Sequence, residues 1–192
     1  QPELFKGNMS GFFPGGKYMY EKKLYGDPAW KDMRVLVEFE GVYMDSSVYL
    51  NGEKLGGCIY GYTDFFINLS GKLKTGEENI LRVEVDNSKT PNSRWYTGSG
   101  IYRDVWLWTG ESQHIAPDGI QIKTISTAPA IVDVSVKAEI LEGDEIAIRV
   151  CDGEACIAAA SGAHAQIEIP DAKLWDAEQP YLYTVQAEII RA

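Results

Sequence analysis

A strict alternation of apolar and polar residues limits most strongly what this chain can fold into. It recurs over residues 34–40, 79–86, 131–140 and 145–150, and in each segment the apolar side chains fall on one face. That period is typical of strands that are half buried against a second sheet. No long segment has apolar residues at every third or fourth position, so we predict an all-β fold made of β-sandwiches.

Turn-forming residues separate these alternating segments. The Asn51-Gly52 step follows an apolar segment and predicts a type I′ hairpin, because both residues tolerate a positive φ. The small-residue run 155–165 has some helical propensity, but it lies in a β-rich half of the chain. We therefore predict a strand end followed by a loop there.

A change in composition divides the chain near residue 111. Four of the five tryptophans precede it, and the residues that follow are rich in Ala, Ile and Val. The polar stretch 109–112 predicts a linker between two domains, 1–111 and 112–192. The second domain is short for an immunoglobulin-like sandwich of about 100 residues, so we expect it to lack its last strand. Because the chain opens on Gln1, we expect a removed leader or excision from a longer protein.

Charge and hydropathy exclude two classes of partner. The 192 residues carry 18 basic and 28 acidic side chains, a net charge of −10. Nucleic acid and anionic lipid are bound mainly through Lys and Arg, so this balance disfavours both. No apolar run approaches the roughly 20 residues that span a membrane. We predict no nucleic-acid or membrane partner and leave the bacterial cytoplasm, the periplasm and secretion open as locations.

Side chains suited to metal binding or nucleophilic catalysis form no motif. Cys58, Cys151 and Cys156 lack zinc-site spacing and are interpreted as buried or unpaired thiols. His114 and His164 have no nucleophilic Ser or Cys motif beside them, so we expect no Ser-His-Asp device. The glycine-rich turns lack the strand–loop–helix context of a phosphate-binding loop. We predict no metal site and no cofactor.

The segment 86–108 concentrates the residues that could bind a ligand. A polar loop is followed there by two aromatic residues and a Gly-Ser-Gly turn. Carboxylates, amides and guanidinium groups can engage vicinal hydroxyls, and an aromatic ring offers an apolar face to a sugar. Two alternatives stay open, a rim salt bridge for Arg94 and core packing for Trp95. The candidate ligand-binding residues are Asp86, Asn92, Ser93, Arg94 and Trp95.

Two more tryptophans, Trp106 and Trp108, alternate on the strand that follows this turn. We predict that they pack into the core or into a domain interface. The carboxylates of Glu38 and Glu40 are interpreted as charges on a solvent-facing strand surface.

A series of motifs extends along nearly the whole chain. They are FFPGG at 12–16, FEGVYMDSSVYLNGEKLGG at 39–57, YGYTDFFINLS at 60–70, LKTGEENILRVEVDNS at 73–88, NSRWYTGSGIYRDVWL at 92–107 and LWDAEQPYLYTV at 174–185. In this order they resemble glycoside hydrolase family 2, and the members they most resemble are bacterial β-galactosidases. The resemblance implies a galactose-binding-like, sugar-binding jelly-roll sandwich over 1–111, truncated at its N-terminus. An immunoglobulin-like β-sandwich over 112–192 would follow it.

The resemblance also implies where the chemistry lies. In the family, the two catalytic glutamates of a retaining mechanism lie on a barrel that follows these two domains. A barrel of about 250 residues does not fit in this chain. We therefore expect no catalytic residue here and no activity from this chain alone, although its parent would be a glycosidase that hydrolyses O-glycosyl bonds. The chain would contribute rim contacts to the sugar pocket and buttress the barrel.

The resemblance also implies where the sugar contacts lie. Related β-galactosidases carry an acidic residue just before the Trp of this run, and here that position falls at Ser93 or Arg94. Neither is acidic, so Asn92 and Asp86 are the nearest candidates.

The same family front end occurs in β-galactoside, β-mannoside and β-glucuronide hydrolases, and the segment RWYTGSGIYR favours a galactoside. We expect a β-glycoside sugar as partner and consider a homo-oligomeric parent possible. Two other roles stay open, a free-standing carbohydrate-binding module and purely structural or oligomerisation domains.

Overall fold

Strands make up nearly all of the regular structure. The computed structural model describes residues 16–89 and 98–192, and the helix found in those ranges is a short 3-10 helix, Pro28–Asp32. The all-β prediction is confirmed. The chain divides into two compact units, Gln1–Glu111 and Ser112–Ala192.

The first unit is built from two main antiparallel sheets. Its described strands are β1 (Lys17–Tyr25), β2 (Arg34–Phe39), β3 (Val42–Tyr43), β4 (Ser46–Leu50), β5 (Glu53–Gly56), β6 (Phe65–Asn68), β7 (Glu78–Asp86), β8 (Gly100–Ile101) and β9 (Val105–Gly110). One sheet has the order β1-β7-β4-β5, and the other has the order β6-β2-β9. The short strands β3 and β8 form a separate pair near one end of the unit.

These two sheets pack face to face around one apolar core. Strand β7 buries every second side chain, as the alternation predicts, whereas β2 buries Leu36 of its outward face as well. Burial of one such side chain contributes about 1.5–3 kcal/mol, so the shared core holds the sheets together as a β-sandwich. β2 contributes Val35, Val37 and Phe39, and β7 contributes Leu81, Val83 and Val85.

The predicted hairpin joins β4 to β5. Asn51 has φ of 50° and Gly52 has φ of 90°, so both central residues have the positive φ of a type I′ turn. Leu50 lies opposite Glu53 in the register. The hairpin prediction is confirmed.

The predicted core packing of Trp106 and Trp108 is wrong, whereas the alternative, packing into a domain interface, stays a prediction. Trp106 is 49% exposed and Trp108 is 54% exposed, because they occupy the outward face of β9. The indole N–H of Trp106 donates to Glu40 Oε1 at 2.9 Å, and that of Trp108 donates to Glu38 Oε2 at 2.7 Å. The two carboxylates are therefore hydrogen-bond partners of the indoles as well as surface charges.

The second unit is a second sandwich. Its strands are β10 (His114–Thr127), β11 (Ala130–Glu139), β12 (Glu145–Asp152), β13 (Ala155–Ser161), β14 (His164–Glu168) and β15 (Thr184–Ile190). They form one sheet with the order β10-β11-β14 and one with the order β13-β12-β15. Side chains of β11, β12 and β14 meet in a common apolar core, in which Val134, Ile148 and Val150 are fully buried.

The small-residue run 155–165 differs from its prediction. It forms β13 and the start of β14, which meet at a turn where Gly162 has φ of 104°. Strand β13 pairs with β12, and β14 pairs with β11. Pairing with these core strands outweighs the weak local preference of alanine for helix.

Within the part of the chain that the structure describes, no helix is long and apolar enough to cross a membrane.

Candidate functional site

Several loops of the first unit meet at one end of its sandwich. The backbone N–H of Asp86 donates to the carbonyl oxygen of Met44 at 3.0 Å, and that of Ser46 donates to the carbonyl oxygen of Cys58 at 2.8 Å. Loops on a rigid sandwich commonly carry the functional residues. We refer to this region as the loop cluster, formed by residues 43–46, 57–64, 86–89 and 98–102.

Asp86 is the one candidate ligand-binding residue within the described ranges. It ends β7, and its carboxylate accepts hydrogen bonds from the hydroxyl of Ser88 at 2.5 Å and from the backbone N–H of Ser88 at 3.0 Å. Lys17 Nζ lies 3.0 Å from Asp86 Oδ2. The Ser88 hydroxyl first, and then Lys17, lower the pKa of Asp86 to about 2. The carboxylate is therefore ionised at neutral pH and anchors the start of the following loop.

The other candidates cannot be placed in the same way. Asn92, Ser93, Arg94 and Trp95 lie outside the described residues. Their predicted role as sugar contacts stays a prediction.

Asn87, the residue after Asp86, forms hydrogen bonds that connect segments of the loop cluster. Sequence reasoning did not select it as a ligand-binding residue. Asn87 is 3% exposed, and its backbone N–H donates to the carbonyl oxygen of Gly16 at 2.8 Å. Its side-chain Nδ2 donates to the hydroxyl of Ser99 at 3.3 Å. Asn87 and Ser99 therefore connect the chain on either side of residues 90–97. An Asn beside an Asp after a strand signals a turn, but its burial depends on distant neighbours.

Tyrosine rings form a second part of the loop cluster that sequence reasoning missed. Tyr62 lies edge-on to Tyr43, with ring centroids 5.3 Å apart, and edge-on to Tyr60 at 5.7 Å. The Tyr102 hydroxyl donates to the carbonyl oxygen of Gly61 at 2.7 Å. Burial first, and then the neighbouring tyrosines, raise the pKa of Tyr62. The sequence signal that could have indicated this group was the pair of tyrosines that flanks Gly61.

This tyrosine group presents both apolar and polar surface. Tyr60 is 61% exposed and Tyr62 is 46% exposed, so each offers part of a ring to solvent. Edge-to-face packing holds the rings in place, which lowers the entropy lost when a ligand stacks on them. The arrangement suits a ligand with alternating hydroxyl groups and C–H faces, such as a sugar.

A cavity of about 410 Å³ opens beside Asp86. Three carboxylates and one ammonium group line it, from Asp45, Glu84, Asp86 and Lys17. Lys89 Nζ lies 3.8 Å from Asp45 Oδ2. The surface beside the loop cluster is therefore polar, with an excess of negative charge.

Residues 16–89 and 98–192 contain no group of three or more His, Cys, Asp or Glu side chains that could hold a metal ion. Two carboxylates of the loop cluster instead pair with lysines, Asp86 with Lys17 and Asp45 with Lys89.

Tandem β-sandwiches with a polar and aromatic surface at a loop end define the class of the protein. It is an all-β protein of two sandwich units. The chain belongs to glycosyl hydrolases family 2. The model of that family matches residues 103–192, and the relatives described next are similar over nearly the whole chain.

The similarity to known proteins extends over nearly the whole chain. It is 36% identical to the β-galactosidase BoGH2A of Bacteroides ovatus, over 96% of this chain and 24% of that protein. It is 33% identical to a putative β-glucuronidase of Formosa agariphila, over 96% of this chain and 19% of that protein. The crystal structure of a β-glycosidase from Bacteroides vulgatus matches with a TM-score of 0.79 and 31% identity, over 100% of this chain and 26% of that one.

These proteins are much longer than the chain. It spans about a quarter of the length of the β-galactosidase and of the β-glycosidase that it matches. The relatives include both β-galactosidases and β-glucuronidases, so family membership leaves the glycoside open.

Proposed function

We propose that this chain forms the non-catalytic β-sandwich part of a retaining family 2 β-galactosidase that acts in carbohydrate metabolism. The first unit is the sugar-binding jelly-roll domain, and the second is the immunoglobulin-like domain. The first unit edges the sugar pocket with its loops, and both units buttress the catalytic barrel. The observation that carries the proposal is the loop cluster of a family 2 chain, where an ionised carboxylate and exposed tyrosines lie on adjacent loops.

The charge of the loop cluster supports a neutral sugar over a glucuronide. Of the three carboxylates that line the cavity beside Asp86, Asp86 pairs with Lys17 and Asp45 pairs with Lys89, so the remaining negative charge is that of Glu84. A glucuronate carboxylate held there would meet repulsion of about 1 kcal/mol per unpaired charge at 4 Å in water, and more where solvent is excluded. A galactoside carries no such charge, so this repulsion does not weaken its binding.

Within this role, Asp86 positions the loop that follows β7 and does not itself form a hydrogen bond with the sugar. Its oxygens already accept hydrogen bonds from Ser88 and pair with Lys17. The direct contacts are then made by the polar side chains that follow, Asn92, Ser93 and Arg94, with Trp95 and the tyrosines as stacking surfaces. A β-glycoside sugar is the partner, bound together with the barrel.

Steady-state kinetics of the full-length protein test this role. Asn92→Ala, Arg94→Ala and Tyr62→Ala should each raise KM for an aryl β-galactoside about fivefold and leave kcat nearly unchanged, because one lost hydrogen bond or stacking contact nets ~1 kcal/mol. Tyr25→Ala is the matched control. Tyr25 is 60% exposed at the end of β1 and lies outside the loop cluster, so its replacement should not change KM.

The outcomes separate this proposal from the other two roles. Unchanged KM in all three variants would reject the rim role and leave a purely structural one. Turnover of an aryl β-galactoside by the purified 192-residue chain would reject the non-catalytic assignment. Galactose binding by that chain alone at millimolar affinity, detected in the tryptophan indole NMR signals, would indicate a free-standing binding module. A higher kcat/KM for the aryl β-glucuronide than for the β-galactoside would overturn the assigned sugar.

A further inference from the structure

Two cysteines face each other across a hairpin of the second unit. Strands β12 and β13 are antiparallel, and their register places Cys151 directly opposite Cys156. Asp152 lies opposite Ala155 in the next pair, so the connecting turn consists of Gly153 and Glu154. Directly opposed residues of an antiparallel pair have Cα atoms about 4.5–5.5 Å apart and side chains on the same face. The register shifts between Val150 and Cys151, but Cys151 and Cys156 themselves remain paired. Disulfides bridge Cα separations of about 4.4–6.8 Å, so paired residues in this register satisfy the requirement.

The two thiols differ in accessibility. Cys151 is 1% exposed, whereas Cys156 is exposed. Hydrogen bonding with Cys156 first, and then burial, raise the pKa of the Cys151 thiol above its usual range. The pair therefore combines a thiol that a reagent can reach with a protonated thiol held beside it.

The third cysteine provides a natural comparison. Cys58 lies in the first unit, and its thiol donates to the carbonyl oxygen of Tyr60 at 3.2 Å. No cysteine lies opposite it in the strand pairing of the described residues, because it follows the end of β5. A reagent should therefore modify Cys58 without closing a ring.

We propose that Cys151 and Cys156 form a reversible cross-strand disulfide by exchange with a low-molecular-weight disulfide such as oxidised glutathione. This disulfide links the two strands at the turn end of the β12–β13 hairpin, and it forms or breaks with the ratio of oxidised to reduced glutathione.

The exchange takes place in two balanced steps. The Cys156 thiolate attacks one sulfur of oxidised glutathione, which forms a mixed disulfide and releases one glutathione thiolate. Cys151 loses its proton and attacks the Cys156 sulfur of that mixed disulfide, which forms the protein disulfide and releases the second glutathione. Two cysteine thiols are oxidised overall, and one glutathione disulfide is reduced to two thiols.

Geometry also explains why the disulfide should be reversible. The bond closes a ring of only six residues, 151–156, next to a tight turn, and Cys156 Sγ stays accessible to an attacking thiol. Strained or exposed disulfides are the ones that reduce readily. Excess reduced glutathione should therefore reopen the bond.

Differential alkylation of the protein tests the proposal. The protein is equilibrated over a series of oxidised-to-reduced glutathione ratios, quenched with acid, alkylated under denaturing conditions and digested with trypsin. One tryptic peptide, residues 150–173, contains both Cys151 and Cys156 and excludes Cys58. Under oxidising ratios we expect this peptide to lose two hydrogen atoms and to resist alkylation, and under reducing ratios to recover two alkylation sites.

Two variants, each with one cysteine replaced by serine, complete the test. Cys58→Ser should leave the behaviour of the 150–173 peptide unchanged. Cys151→Ser should stop at the glutathione adduct on Cys156, because the resolving thiol is gone. The proposal fails if the wild-type peptide retains two alkylatable thiols at every ratio. It also fails if the wild type accumulates the Cys156 adduct to the same extent as Cys151→Ser. Both outcomes are read on the wild-type protein, so they do not depend on the folding of a variant.

Discussion

The side chain of Asn79 should contribute more to the stability of the first unit than any single surface interaction. It is 0% exposed at the start of β7. Its amide oxygen accepts from Asn51 Nδ2 at 2.8 Å and from the backbone N–H of Lys74 at 2.9 Å. Its amide nitrogen donates to the carbonyl oxygens of Lys74 at 2.9 Å and Glu77 at 3.2 Å. One buried amide thus closes the turn before β7 and joins it to the β4–β5 hairpin.

Replacement of Asn79 by alanine removes all four hydrogen bonds. Each such bond nets about 1 kcal/mol, and buried partners left unsatisfied cost at least as much. Asn51 is exposed and can turn to water, so its bond contributes less than the other three. We expect Asn79→Ala to lower the free energy of unfolding of the first unit by about 3–4 kcal/mol.

Urea unfolding followed by tryptophan fluorescence measures this change, because four of the five tryptophans lie before residue 111. Asn79→Asp is the matched control, since it keeps both accepted bonds and loses both donated ones. The introduced carboxyl would be buried beside two carbonyl oxygens, which raises its pKa. With a folded-state pKa above the unfolded one, this variant should be more stable at acidic pH and lose stability as pH rises through the raised value. A loss below about 1 kcal/mol in Asn79→Ala, at an unchanged m-value, would refute the reasoning.

Three further predictions follow from other contacts. The pKa of Asp86 is lowered from 3.8 to about 2, first by the hydrogen bond from the Ser88 hydroxyl and then by Lys17, so these contacts stabilise the fold above pH 3.8 and are lost as pH falls towards 2. Asp86→Asn should flatten the acid side of a plot of urea midpoint against pH, and an unchanged slope would show that the pairing contributes nothing. A methyl group at Gly26 would collide with the carbonyl oxygen of Lys74, so Gly26→Ala should destabilise the first unit by about 1–3 kcal/mol, checked by urea unfolding. Ile148 is 0% exposed in the second core, and Ile148→Ala should cost about 2–5 kcal/mol in calorimetry; a loss under 1 kcal/mol would contradict the described packing.

The strands of both cores could be predicted from local pattern. In β7 and β12 every second residue is buried, because one face contacts the opposing sheet and the other contacts water. These buried residues are apolar apart from Asn79, and Cys151 is buried in addition. The turn at Asn51 and Gly52 was also predictable, since its backbone angles depend on residues that tolerate positive φ. These features need no knowledge of distant neighbours.

Features that depend on distant neighbours were missed. Strand β13 consists largely of alanine and has little pattern of its own, so its pairing with β12 decides its structure. Trp106 looked like a core residue by type, but its place on the outer face of β9 leaves it half exposed beside Glu40. The burial of Asn87 likewise requires Gly16 and Ser99, which lie far from it along the chain.

The candidate site divides in the same way. The sequence placed a polar, aromatic loop after β7 and selected Asp86 within it. Only the folded chain brings Tyr60 and Tyr62 to the same end of the sandwich, and only it pairs Asp86 with Lys17.

Alternating residues along this chain are enough to specify sandwich-forming strands and their buried faces, because burial on a strand repeats every two residues. The Asn51-Gly52 step likewise specifies its own turn. Which strands become neighbours, which loops meet and which thiols or carboxylates end up side by side depends on sheet pairing between residues far apart in sequence. Those contacts form only when two apolar faces close on each other, so the loop cluster and the Cys151–Cys156 pair are products of the tertiary structure.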